Sequence, residues 1–129
     1  MQVKEYITGL QHVGLPVQDM ELTLEFYRNL GFEEAFSTFN QGSRVVFMQQ
    51  KGLVVEIYEQ EKTERIPGVI EHLALDVTDI EKTFEIAKAQ GYEILDNEIQ
   101  FLPFWKHGVK FFTIVGPNGE KIEFSQMLS

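Results

Sequence analysis

The sequence predicts an α+β protein built from two tandem βαβββ modules whose curved, mixed sheets form a cup. Three observations lead there. The stretch "HVGLPVQDMELTLEFYRNLGFE" (12–33) aligns without a gap on "HLALDVTDIEKTFEIAKAQGYE" (72–93), with nine of 22 positions identical, His12/His72, Asp19/Asp79 and Gly31/Gly91 among them. Within each copy the hydrophobic period changes from strand-like alternation to helical spacing and back. A glutamate also interrupts the last apolar strand of both copies, in "VVEIYE" (54–59) and "KIEFSQ" (121–126).

The elements follow in order. Val13, Leu15 and Val17 alternate with His12, Gly14 and Pro16, as Leu73, Leu75 and Val77 do with His72, Ala74 and Asp76. Asp19 and Asp79 are suited to cap a helix, and Glu21 and Glu81 to favour its N-terminal dipole. Met20, Leu24 and Tyr27 lie on one helix face, matched by Ile80, Phe84 and Ala87. Gly31 and Gly91 are placed for left-handed caps. "EEAFSTF", "SRVVFMQ" and "GLVVEIYE" complete the first module with three strands. "YEILDNE" (92–98), "VKFFTIVG" and "GEKIEFSQ" are expected to do the same in the second. "GPNG" (116–119) is a turn in which Asn118 and Gly119 tolerate positive φ. One domain, 1–129, is thus expected, with modules at 8–60 and 69–128 joined by the charged connector "EQEKTERIPG". Aligning Gly52 with Gly119 places Glu56 on Glu123, with seven more residues in the second copy, expected around "IQFLPFWKHG".

Composition narrows the function. A net charge of −9 argues against a nucleic-acid backbone binder. With no cysteine, disulfides, thiolate metal sites and a cysteine nucleophile are excluded. No run approaches membrane-spanning length and "MQVKEYITGL" has no apolar signal stretch, so a soluble cytoplasmic protein is expected.

The chemistry rests on the repetition. A single strand histidine is ordinarily a hydrogen-bonded structural residue, and a single strand glutamate ordinarily faces water. Both types recur at matched positions here, beside the small Gly14 and Ala74 and near Tyr58, Lys121 and Ser125. His12, Glu56, His72 and Glu123 therefore form a candidate nitrogen and oxygen donor set for one divalent ion, Ni, Zn, Mn or Co.

"HVGLPVQDMELTLEFYRNLGF" resembles the opening module of the vicinal oxygen chelate superfamily, which includes glyoxalase I, bleomycin-resistance proteins and extradiol dioxygenases. "GPNGEKIEFSQ" is similar to its closing strand, and the resemblance covers nearly the whole chain. It implies the glyoxalase fold and, by glyoxalase I, a His and a Glu ligand from each module: His12, Glu56, His72 and Glu123. It also implies an ion that holds two neighbouring substrate oxygens while a carboxylate takes the α-proton. Glu123 is the first choice for that base and Glu56 the second. Glu56 favours the glyoxalase I branch over dioxygenases and fosfomycin-modifying enzymes, which lack a carboxylate ligand there, and over methylmalonyl-CoA epimerase, which usually carries Gln. No arginine stands beside His12 for a glutathione carboxylate; Gln11 and Val13 do. The alternatives are a metal-free drug- or metabolite-binding protein of bleomycin-resistance type, and an epimerase or dioxygenase of the same superfamily.

Substrate contacts are expected from Arg44, Phe104, Trp105 and Lys106, with "FLPFWKHG" (101–108) read as an aromatic loop. Lys110 is a further candidate for an anionic group, His107 is read as an exposed loop residue, and Phe36, Phe39, Phe47, Phe111 and Phe112 as core. A homodimer is expected, with sites formed within or between chains.

Overall fold

The computed structural model describes residues 2–129, whose contacts divide into two compact units, 1–63 and 64–129. The division falls inside the charged connector. Each unit is one mixed sheet with one α-helix, so the protein is α+β.

In the first unit, β1 (Val13–Val17) leads to α1 (Met20–Asn29), followed by β2 (Glu33–Asn40), β3 (Ser43–Gln50) and β4 (Leu53–Glu59). The strand order is β1-β4-β3-β2, with β1 parallel to β4 and the other pairs antiparallel. Asp19 caps α1 by accepting from the Leu22 amide, and Gly31 leaves the helix at φ 96°. Met20, Leu24 and Tyr27 turn inward and join Val17, Val46, Met48, Val55 and Ile57 in the core. One face of the sheet is therefore closed by α1. The other carries Glu56, flanked along β4 by Val54 and Tyr58.

The second unit repeats the plan with β5 (His72–Asp76), α2 (Ile80–Ala89), β6 (Glu93–Ile94), β7 (Gln100–Leu102), β8 (Val109–Val115) and β9 (Lys121–Met127). Its order is β5-β9-β8-β6, and β7 also pairs with β8. Asp79 caps α2 through the Lys82 amide, and Gly91 has φ 75°. Ile80 and Ala87 are buried with Phe112, Ile114, Ile122 and Phe124, and Phe84 meets Phe112 edge-on at 4.9 Å.

Three expectations are corrected. The strand expected over 92–98 is only Glu93–Ile94, because the chain leaves the sheet at Leu95 and returns as β7. Asp96 replaces the lost ladder partner: its carboxylate accepts the Thr113 amide at 2.8 Å. Phe101 and Leu102, expected in a loop, belong to β7 and pair with Lys110 and Val109. In the turn at 116–119 only Gly119 has positive φ (81°); Asn118 does not and is instead buried, donating to the Glu120 carboxylate.

The registers locate the seven extra residues. The β8–β9 turn has Pro117, Asn118 and Gly119 where the first unit has Lys51 and Gly52. The β7–β8 hairpin has 103–108 where the first has Gln41 and Gly42. The remaining two lie in the interruption between β6 and β7. The β8–β9 turn is a three-residue hairpin loop with its glycine in the left-handed position.

Candidate metal centre

The parallel pair β1–β4 sets Gly14 opposite Glu56, and the parallel pair β5–β9 sets Ala74 opposite Glu123. In both units the histidine stands two residues before that small residue, on the same strand face. The two modules thus present a histidine and a glutamate in the same register. A side chain larger than glycine's hydrogen at position 14 would approach the Tyr58 ring at 3.6 Å and the Glu56 carboxylate at 3.9 Å, so the small residue keeps that patch open.

In the first unit the two donors meet. His12 Nε2 lies 3.3 Å from Glu56 Oε1, and both side chains keep about a third of their surface exposed. The Phe47 ring, paired with Glu56 across β3–β4, meets the His12 ring edge-on at 5.6 Å. Its other imidazole nitrogen, Nδ1, is hydrogen-bonded to Gln11 Oε1 at 2.9 Å. In the second unit His72 Nδ1 is likewise bonded to Glu71 Oε1 at 2.9 Å, and Lys121 donates to Glu71 Oε2 at 3.0 Å. Hydrogen bonds from Lys121 and His72 hold the exposed Glu71 carboxyl below its ordinary value. Thr113 faces Glu123 where Phe47 faces Glu56.

The structure brings together His12 and Glu56. Among the described residues, no three histidine, aspartate or glutamate side chains gather as they would around an ion.

The expected substrate contacts fare differently. Arg44 alternates with Val45 and Phe47 on β3, which places it on the helix side of the sheet, opposite the face of Glu56. There its guanidinium pairs with Glu21 of α1, so it is corrected from a substrate ligand to a strand–helix tie. Lys110 repeats this role in the second unit by pairing with Glu81 at 3.2 Å. Phe104, Trp105 and Lys106 lie together on the exposed β7–β8 loop, with Trp105 73% exposed. Of the phenylalanines read as core, only Phe112 is fully buried. Phe47 and Phe111 are half-buried, and Phe36 and Phe39 are exposed on β2. The sequence gives Gln11 only as a neighbour of His12 and does not single out Glu71. Their signal was position, since each directly precedes one of the repeated histidines.

Two mixed sheets of this plan, each with a histidine and a glutamate in matching register, define a protein of the vicinal oxygen chelate class. The chain belongs to the Glyoxalase/Bleomycin resistance protein/Dioxygenase superfamily, whose family model matches residues 9–124. Among curated proteins it is 29% identical over 131 residues to the uncharacterized protein YwbC of Bacillus subtilis, covering 91% of this chain and 96% of that one. Similar solved structures include a glyoxalase family protein from Enterococcus faecalis (TM-score 0.79, 21% identity, 93% of this chain and 98% of that one). They also include the fosfomycin resistance protein FosX from Listeria monocytogenes, solved with Mn(II) and sulfate (TM-score 0.73, 21% identity, 95% and 94%). At these identities the structural likeness establishes the fold.

Proposed function

We propose that the protein is a metal-dependent lyase or isomerase of glyoxalase I type, with His12, Glu56, His72 and Glu123 as ligands of one divalent ion. The observation that carries this reading is the repeated His–Glu register, with His12 Nε2 and Glu56 Oε1 already 3.3 Å apart. The donor chemistry suits the ion: in each histidine Nδ1 contacts the preceding side chain, which leaves Nε2 to ligate, and that of His12 already faces the Glu56 carboxylate. Two carboxylates would offset the ion's charge. The Mn(II) bound by FosX supports a divalent ion in a protein of this fold.

When bound, the ion supplies Lewis-acid stabilisation of negative charge on adjacent substrate oxygens. The chain's own residues do the rest. The Glu123 carboxylate accepts the proton from the substrate carbon next to the carbonyl and returns it to the neighbouring carbon, an isomerisation with no net proton change. Glu56 stays beside His12 and keeps a second carboxylate at the site. The substrate is a small oxygenated compound, an α-oxoaldehyde joined to a thiol in the closest chemical parallel. No arginine stands beside His12 for a glutathione carboxylate, so the test uses several thiols.

The test is turnover of methylglyoxal with a panel of thiols in deuterated water, after loading with Ni, Zn, Mn or Co. Glu123→Gln is expected to lower kcat by roughly 10²–10⁴-fold. Full activity in that variant would remove Glu123 as the base. The exposed Phe104 and Trp105 favour a second reading, a metal-free drug- or metabolite-binding protein. In that case ligand binding survives His12→Ala and is lost on Trp105→Ala.

A further inference from the structure

Both histidines have the same neighbour in the same place. His12 Nδ1 is bonded to Gln11 Oε1, and His72 Nδ1 to Glu71 Oε1, each at 2.9 Å. Gln11 and Glu71 are equivalent residues of the two repeats, yet they differ in charge. In the second module the contact extends further: Lys121, paired with His72 across β5–β9, donates to the other oxygen of Glu71 at 3.0 Å. Glu71 offers only carboxylate oxygens, so a neutral His72 must carry its hydrogen on Nδ1 to make the bond, and its Nε2 keeps the lone pair. Gln11 can turn either end of its amide to His12, whose Nε2 also faces the Glu56 carboxylate.

We infer that Glu71 is a positioning residue: oriented by Lys121, its carboxylate fixes His72 as the Nδ1–H tautomer with Nε2 presented for ligation, and makes His72 a stronger donor than His12, whose neighbour is the amide of Gln11. The charge difference matters because a carboxylate behind a histidine raises its basicity as a ligand more than an amide does. His72 then anchors the ion, while His12 and its partner Glu56 form the weaker half of the set. Glu71 does not touch substrate or ion in this scheme; it acts through the imidazole of His72. The inference about donor strength rests on the metal-site reading, whereas the tautomer does not.

Two measurements separate the two. In metal-free protein in alkaline buffer, long-range ¹H–¹⁵N spectra of the imidazoles should show the Nδ1–H tautomer for His72. Glu71→Ala should shift it toward the Nε2–H form. Glu71→Gln should preserve it, because the amide oxygen still accepts. An Nε2–H tautomer of His72 in the wild type would overturn the inference whether or not an ion binds. The second measurement is Co(II) affinity by chelator competition, followed by the visible absorption of the bound ion. Glu71→Ala should weaken binding roughly 10–100-fold, Gln11→Ala less, and Lys121→Met should fall between wild type and Glu71→Ala. Equal losses for Gln11→Ala and Glu71→Ala, or none in either, would overturn the anchoring role of His72. If the wild-type protein binds no ion, the function proposed above fails together with the anchoring role, and the tautomer spectra still decide whether Glu71 orients His72.

Discussion

At the scale of single residues, Glu56 is the informative one. A charge in an apolar strand is tolerated there because its face is the open one: the side chain is half-exposed and His12 Nε2 stands beside it. Glu56→Gln keeps the shape and removes the charge, so the fold should persist while ion affinity falls at least tenfold, measured by chelator competition. Glu71 offers a prediction in proton equilibria. Its carboxyl is held low by hydrogen bonds from Lys121 and His72, so its contribution is present above the ordinary carboxylate range and fades as pH falls through the lowered value. Lys121→Met should move that carboxyl up, followed by NMR of the Glu71 side-chain carbonyl carbon across acid pH. Gly119 is a structural counterpart. A β-carbon there would sit 1.8 Å from the Arg65 carbonyl oxygen, whereas at Gly42, also at positive φ, it meets open space. Gly119→Ala should therefore cost more than the ~1 kcal/mol expected of left-handed strain alone, and Gly42→Ala about that much, both read by urea unfolding.

At the scale of elements, the repeats share their local devices. Asp19 and Asp79 cap the helices through the same contact, so replacing either with alanine should lower stability by about 1 kcal/mol. Arg44–Glu21 and Lys110–Glu81 tie corresponding strand and helix positions. The helices, their caps and the β3–β4 and β8–β9 hairpins were legible because hydrophobic period and cap chemistry are local. The break in "YEILDNE" was not. Its residues alternate as a strand does, and what ends it is the carboxylate of Asp96 reaching the Thr113 amide, seventeen residues away in sequence. Arg44 was misjudged for a related reason. A cation in a strand reads alike on either face, and only the pairing of Phe47 with Glu56 decides that Arg44 faces the helix. The β7–β8 loop is expected to be dispensable for folding, so replacing 103–108 with Asn-Gly should leave the unfolding midpoint nearly unchanged.

At the scale of the molecule, duplication is what made the candidate site visible. One histidine or one glutamate would have carried little weight; the recurrence of both, at offsets that the registers of β1–β4 and β5–β9 reproduce, is what groups them as candidates. The tandem arrangement and superfamily were legible for the same reason. The pairing of each histidine with Gln11 or Glu71 needed coordinates, since composition does not separate a residue that bonds the imidazole from any other polar neighbour. No helix among the described residues is long and apolar enough to cross a membrane. The most direct test of the central claim is metal content after reconstitution with Ni, Zn, Mn and Co in turn, on wild type, His12→Ala, Glu56→Gln, His72→Ala and Glu123→Gln. One tightly held ion per four-ligand set, weakened by every one of the four substitutions, is the predicted result. No bound ion with any of the four metals, or binding indifferent to all four substitutions, would contradict it.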